Sequence, residues 1–189
     1  MDENGDLFWK QLEREHLKAR AYCRKLMANR DDGDDLYHDS LVAALSKFDS
    51  LKNIAAFRPW LYRIIINMFK NRSKRSWWRK SVALTDDIPV AENKSIRLDA
   101  RRRLERAFKA LSPEEKALVI LHELQGWTTA EMARVVGKSE GSIRVQLSRA
   151  RNKMRKELIR FLKQSGNGEL AKNLLMDKDI CIVHKFVKE

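Results

Sequence analysis

The amino-acid sequence predicts an all-helical protein made of two small domains joined by a flexible linker. Only 7 Gly and 3 Pro occur in 189 residues, and no two-residue hairpin turn separates alternating segments. Apolar residues instead recur at intervals of three or four in both halves of the chain. Residues 83–100 lose this periodicity, contain Pro89 and are acidic, which predicts a linker; a surface loop within a single domain is the alternative.

The first domain is predicted over residues 1–82 and contains a long apolar helix. In residues 55–69, AAFRPWLYRIIINMF, large apolar side chains follow the three- and four-residue spacing of a helix face. Most of them are expected in the hydrophobic core: Phe57, Trp60, Leu61, Ile64, Ile65 and Met68.

Charge is unevenly distributed along this first domain. Between Asp31 and Asp49 six acids face a single base, Lys47, whereas from Leu51 to Val82 there are nine bases and no acid. A protein that bound only DNA would have little use for a concentrated acidic segment. The two segments therefore indicate two partners of opposite charge.

Basic and aromatic residues are mixed on and beyond the outer face of the apolar helix. Trp77 and Trp78 lie within the basic run RSKRSWWRK. Rings beside cations suit single-stranded nucleic acid, because bases that leave the duplex need a surface to stack on. Alternatively, the two tryptophans cap the end of the core. The polar residues expected on this surface are Arg63, Asn67, Lys70, Asn71, Arg72, Lys74 and Arg75.

The second domain, predicted over residues 101–163, has three well-marked helix starts. Ser112-Pro113-Glu114-Glu115 supplies a capping hydroxyl, a proline at the first helical position and an acid three residues after the cap. Thr128 and Glu131 form a second capping box, and Ser139 precedes a long periodic segment. Four helices are thus expected, with an apolar face at Leu104, Ala107, Phe108, Leu111, Leu118, Leu121, Leu124, Ile143, Leu147, Ala150, Met154 and Leu158.

The short helix at about 129–136 and the long helix at about 140–162 are predicted to form a helix-turn-helix. Gly137 suits a turn with a left-handed backbone, and the small Ala133 lets two helices cross closely. Residues 101–163 carry sixteen bases against seven acids, which favours DNA contact over an antiparallel helix pair with a solvated basic face. The residues expected to meet DNA are Lys138, Ser139, Glu140, Ser142, Arg144, Val145, Ser148, Arg149 and Arg151.

The C-terminal extension, residues 164–189, begins with a Gly-rich break and ends with ICIVHKFV. This apolar end is expected to pack on the second domain by default, or else to bind a regulator. Cys181 and His184 could form half of a zinc site, but no second Cys pair is nearby. Two side chains in an apolar segment is the better interpretation.

Composition excludes several classes of protein. The net charge of +13 predicts attraction to nucleic acid first and to an anionic membrane surface second. No apolar run approaches the ~20 residues of a bilayer helix, and the acidic N-terminus is unlike a signal peptide. Two cysteines fit a reducing cytoplasm. No P-loop, paired-acid metal site or activated nucleophile is present, so neither an enzyme nor a cofactor is expected.

The helix-turn-helix segment resembles region 4 of the extracytoplasmic-function (ECF) sigma factors of bacterial RNA polymerase. The resemblance runs from Leu111 to Leu158, LSPEEKALVILHELQGWTTAEMARVVGKSEGSIRVQLSRARNKMRKEL. Its marks are the Leu-Ser-Pro opening, the helix closed by Gly126, the Ala-to-Gly turn and the Glu-Gly-Ser-Ile-Arg segment that leads into Ser-Arg-Ala-Arg. In that family this domain reads the −35 promoter element. The resemblance implies the same role for residues 138–151.

Residues 51–80 look like region 2 of the same family. An aromatic-Trp-Leu-Tyr-Arg-Ile segment followed by Asn marks the helix that recognises the −10 element there. By that resemblance Asn67 faces the melted strand, and the loop containing Lys52 and Asn53 forms the rim of a pocket for one flipped base.

The acidic segment from Asp34 to Ser50 resembles region 2.2, which binds a coiled coil on the polymerase β′ subunit. The family's usual Gln-Glu pair stands here as His38-Asp39. The residues implied in binding core polymerase are Asp35, Leu36, His38, Asp39, Leu41 and Val42.

Together these resemblances imply a sigma factor that directs promoter recognition, DNA melting and transcription initiation in the cytoplasm. Its implied partners are core RNA polymerase (β′ and β subunits), promoter DNA and an anti-sigma factor. One alternative is an ordinary helix-turn-helix repressor or activator, which the adjoining acidic and basic segments argue against. The other is a sigma-mimicking adaptor that binds an anti-sigma factor without touching DNA, which Arg144 and Arg149 argue against.

Overall fold

The computed structural model describes residues 3–80 and 103–176, with side chains placed over residues 5–74 and 103–173. The predicted linker, the ICIVHKFV end and the side chains of Trp77, Trp78, Cys181 and His184 lie outside the described residues. The described part is helical throughout, as the sequence predicts. None of its helices is long and apolar enough to cross a membrane.

Four helices form the first part of the chain, which we call the N-terminal unit. They are α1 (Glu3–Glu13), α2 (His16–Met27), α3 (Arg30–Leu45) and α4 (Phe57–Lys80), with short 3₁₀ turns at Phe48–Ser50 and Ile54–Ala56 before α4. Of the residues expected in the core, Phe57, Leu61 and Ile65 are buried, whereas Trp60, Ile64 and Met68 are partly buried against it.

Two features hold the N-terminal unit together. Phe8 of α1 stacks edge-on against Phe48 and Phe57, with ring centroids 5.3 and 5.7 Å apart, which fixes α1 to the start of α4. Gly33 lets α3 approach α2 closely, because a Cβ there would lie 2.4 Å from the Cα of Arg24.

Within residues 103–176 the C-terminal unit has five helices: α5 (residues 103–109), α6 (Pro113–Gln125), α7 (Thr129–Val136), α8 (Glu140–Gln164) and α9 (Gly168–Met176). The three predicted starts are confirmed. Ser112 and Thr128 each form a complete capping box, and the hydroxyl of Ser139 accepts from the amide of Ser142. The predicted apolar face of α8 is also buried, at Ile143, Leu147, Ala150, Met154 and Leu158.

Helix α9 belongs to the C-terminal extension, and its described side chains pack on α8. Ala171 is buried and Leu170 is partly buried against the core. This part of the extension therefore adds to the second core, beyond the four helices expected from the sequence.

Candidate functional site

The turn between α7 and α8 positions a recognition helix. Gly137 ends α7 with a φ of 70°, a backbone conformation that favours glycine, and its amide donates to the carbonyl of Ala133. Helix α8 then starts at once, so that its first turns stand free of the core on one side. The side chain of Arg144 is 68% exposed, and Val145, Ser148 and Arg149 are exposed beside it.

Arg144 is held by a network at the start of α8. A carboxylate oxygen of Glu140 accepts from the Arg144 guanidinium and from the hydroxyl of Thr129 on α7, 2.7 Å away. Hydrogen bonds from Thr129 and Arg144 lower the pKa of Glu140. Glu140 thus links Arg144, a candidate base-reading residue, to α7, the first helix of the helix-turn-helix.

Other residues predicted to meet DNA at the −35 element make contacts within the chain. Lys138 pairs with Glu114, and the hydroxyls of Ser139 and Ser142 lie at the helix start that Ser139 caps. Arg151 turns inward and pairs with Glu123, whose side chain is 6% exposed. The sequence analysis missed Glu123, although a lone acid in the apolar run LVILHELQ is a signal that could have revealed it.

The polar face of α4 carries the residues predicted to meet single-stranded DNA. Asn67, Asn71 and Lys74 are exposed. Lys70 donates to Glu114 over 3.0 Å, and Arg72 pairs with Asp39 of α3. The side chain of Arg75 lies outside the described residues.

The loop before α4 presents Lys52 and Asn53 at the surface, as its predicted role requires. Asn53 also has a structural task. Its side-chain oxygen accepts from the amide of Ala55 at 2.9 Å and caps the short 3₁₀ turn.

One face of α3 combines acids with exposed apolar side chains, which we call the α3 face. Asp35, His38 and Asp39 are exposed, Leu41 is half-buried and Val42 is 72% exposed. Leu45, one turn beyond Val42, is 43% exposed and extends the stripe. Its i+3 spacing from Val42 is a signal that the sequence analysis did not use.

One expectation for the acidic segment needs correction, and one of its acids has a structural role. Leu36 is fully buried and is a core residue, so it cannot contact the polymerase. Asp34 accepts hydrogen bonds from Arg24 and Arg20, at 2.7 and 2.9 Å, and these hold its pKa well below the usual range of a carboxyl group. Asp34 therefore joins α2 to α3 and contributes nothing free to a partner.

The two units pack directly against each other through residues that the sequence analysis did not connect. The Trp127 ring is buried, and its centre lies 4.6 Å from the centre of the Tyr62 ring. The guanidinium of Arg58, on α4, lies 4.0 Å from the centre of the Trp127 ring. Tyr62 donates to Gln125 over 3.1 Å, and Tyr22 donates to the carbonyl of Ala117 over 3.1 Å.

Two family models match this chain. The model for sigma-70 region 2 matches residues 12–79, and the model for sigma-70 region 4 matches residues 101–154. The first contains α2 to α4 with the acidic and basic surfaces, and the second contains the helix-turn-helix.

Curated relatives with similar sequences are named as ECF RNA polymerase sigma factors. The ECF RNA polymerase sigma factor SigM of Mycobacterium tuberculosis is 28% identical over 141 residues, which cover 75% of this chain and 71% of SigM. The ECF sigma factor SigE of Mycolicibacterium smegmatis is 28% identical over 162 residues, covering 80% of this chain and 62% of SigE.

Solved structures show the same arrangement of helices. The sigma factor RpoE of Bartonella quintana, in complex with the anti-sigma factor NepR, superimposes with a TM-score of 0.61 at 25% identity, covering 80% of this chain and 96% of RpoE. CnrH, in complex with the cytosolic domain of CnrY, gives a TM-score of 0.56 at 24% identity, covering 78% of this chain and 84% of CnrH, and supports the fold.

Proposed function

Since the chain belongs to the ECF family of RNA polymerase sigma factors, which have no catalytic activity of their own, we propose that it directs the polymerase to promoters through three surfaces. These are the start of α8, the polar face of α4 with the loop before it, and the α3 face. The observation that carries the assignment is the position of Arg144. It is an exposed arginine on the first turns of a helix-turn-helix recognition helix, the part of such a helix that reaches base edges.

The start of α8 is proposed to read the −35 element. Arg144 and Arg149 carry donors that recognise guanine edges or hold phosphates, and Val145 offers an apolar contact to a thymine methyl group. The hydroxyls of Ser142 and Ser148 and the Glu140 carboxylate complete this surface. Arg151 is left out, because its guanidinium is already paired with a buried carboxylate.

The polar face of α4 and the loop before it are proposed to bind the opened −10 strand. Asn67 supplies a side-chain amide that can donate to and accept from a base edge, and Lys52 and Asn53 stand at the rim of the flipped-base pocket. The basic residues of α4 attract the phosphates. Arg63, Lys70, Asn71, Arg72 and Lys74 form this group, together with Arg75.

The α3 face is proposed to dock on the β′ subunit of core polymerase. Its exposed acids, Asp35 and Asp39, are complementary to a basic surface, and Val42 and Leu45 give the apolar centre that a stable contact needs. We extend to this chain two further features: work in the cytoplasm, where the polymerase is, and control by an anti-sigma factor, because the similar RpoE was solved bound to one.

Transcription by sigma-free core polymerase tests this proposal. The purified chain, added to core with a library of promoter fragments, is expected to give run-off transcripts from a subset that shares −35 and −10 sequences. The Arg144→Ala variant is expected to select a different or broader subset. Core polymerase that gives no promoter-dependent transcript with the wild-type chain would contradict the proposal.

A further inference from the structure

Part of the polar face of α4 is covered in this structure, although Asn67, Asn71 and Lys74 are exposed. The cover is the start of α6 at Glu114 and the end of α7 at Arg134 and Val135, which we call the α6–α7 corner. Arg63 donates from Nε to the carbonyl of Val135 over 2.6 Å and from Nη2 to the carbonyl of Arg134 over 2.7 Å. These carbonyls belong to the last turn of α7, where backbone oxygens lack helical partners and carry partial negative charge. The carbonyl oxygens of α7 thus occupy the guanidinium donors of Arg63 that could otherwise bind a phosphate.

Glu114, at the start of α6, joins both DNA-binding surfaces. One carboxylate oxygen accepts from Lys70 of α4 over 3.0 Å, and the other pairs with Lys138, which opens the segment proposed to read the −35 element. Partial burial tends to raise the pKa of Glu114, but the hydrogen bonds from Lys138 and Lys70 outweigh it and lower that pKa. Glu114 is therefore the ionised counter-charge for one lysine of each surface.

Asn67 lies at the edge of the same contact. A cavity of about 180 Å³ separates α4 from the α6–α7 corner, and Asn67, Ile66, Val136 and Gly137 are among the residues that line it. Asn67 itself is exposed, but a DNA strand that also binds Arg63 and Lys70 would have to displace the corner from those two side chains.

We propose that the α6–α7 corner is an intramolecular partner of the −10 surface, which Glu114 holds in a closed form that DNA must open. This proposal rests on the proposed −10 and −35 surfaces. DNA phosphates compete with Glu114 and with the carbonyls of α7 for the same cations, so opening and binding of the strand are coupled. The apparent affinity for DNA is then the affinity of the open form multiplied by the fraction of molecules that are open.

The test compares two adjacent acids in the full-length chain. Glu114→Gln removes the ion pairs with Lys70 and Lys138 and therefore one of the contacts between the units. Glu115→Gln removes the same charge one residue away and releases Lys153, but its contacts lie within the C-terminal unit, and a Gln retains the capping box with Ser112. Binding of a short fluorescein-labelled oligothymidine is measured by anisotropy at low, fixed ionic strength.

Glu114→Gln is expected to bind the oligonucleotide about three- to fivefold more tightly than Glu115→Gln, which is the size expected when one half-exposed ion pair stops favouring the closed form. Gln125→Ala, which removes the bonds to Tyr62 and to the carbonyl of Lys18 without a change of charge, is expected to act in the same direction. Small-angle scattering should show a larger radius of gyration for both opening variants.

A ratio near one between Glu114→Gln and Glu115→Gln overturns the proposal, and so does a loss of binding in Glu114→Gln. The transcription assay separates this outcome from a failure of the proposed function. If the wild-type chain drives promoter-specific transcription while the two glutamine variants bind the oligonucleotide alike, the proposed function is retained and the closed form is contradicted.

Discussion

Reversal of the charge at Asp39 tests the docking of the α3 face on core polymerase. The Asp39 side chain is 52% exposed and stands beside the exposed Val42, so an arginine there would meet a basic partner surface directly. Exposed charges are screened, so we place the effect at about 1–2 kcal/mol, roughly a five- to thirtyfold rise in the Kd for core. Competition between labelled wild-type chain and unlabelled variant for core polymerase at fixed salt measures it.

The pairing of Asp39 with Arg72 supplies the control for this experiment. Asp39→Arg also breaks that pair and places two guanidinium groups together. The double variant Asp39→Arg/Arg72→Asp restores the pair with its charges exchanged, while position 39 stays positive. If the docking surface is the cause, the double variant remains weak. Full recovery of core binding in the double variant, or wild-type affinity in the single variant, would refute the assignment of this surface.

Three further predictions concern DNA contact and stability. Arg144→Ala is expected to relax preference at one position of the −35 element at a cost of about 1–3 kcal/mol. Lys153→Ala removes a positive charge further along α8, where Lys153 pairs with Glu115, and is expected to weaken all sequences alike; a uniform loss in both variants would mean that the reading face is misplaced. Asn67→Ala in the holoenzyme is expected to leave upstream duplex binding intact but to reduce promoter opening, which permanganate reactivity of thymines reports, and unchanged opening would remove Asn67 from the −10 surface. Gly33→Ala is expected to lower the free energy of unfolding by about 1–3 kcal/mol in urea titrations, because its Cβ would clash with α2. Gly141→Ala is the control, because a Cβ there would meet nothing within 4 Å, and equal stabilities of the two variants would show that α2 and α3 can separate freely.

Local signals made the C-terminal unit readable from the sequence. A cap is settled by three or four neighbouring residues, so the helix starts after Ser112, Thr128 and Ser139 could be placed before any tertiary contact was known. The turn at Gly137 follows from backbone sterics in the same way, and its φ of 70° confirms it.

Contacts between the two units could not be read in this way. Periodicity places Leu118 and Leu121 in the core, but Val119 and Ile120 between them are buried as well. Helix α6 is covered on more than one side, because α2 and α4 of the other unit pack against it as well as α8. Tyr62 is fully buried for the same reason, against Trp127 from a distant part of the sequence.

The candidate site was predictable in type but less so in membership. The residue types of the recognition helix indicated DNA, yet periodicity alone could not tell that Arg151 would turn to Glu123 or that Asp34 would be taken up by two arginines. Leu36 was placed on a surface by the resemblance to region 2.2, whereas its own side of α3 packs into the core.

The junction at Trp127 makes the closed form sensitive to temperature as well as to salt. The ion pairs of Glu114 weaken as salt rises, whereas the buried contact of Trp127 with Tyr62 is apolar and weakens on cooling. The two conditions therefore act on different parts of one interface. The open fraction of the free protein is therefore expected to be larger in a cold, saline medium than in a warm, dilute one.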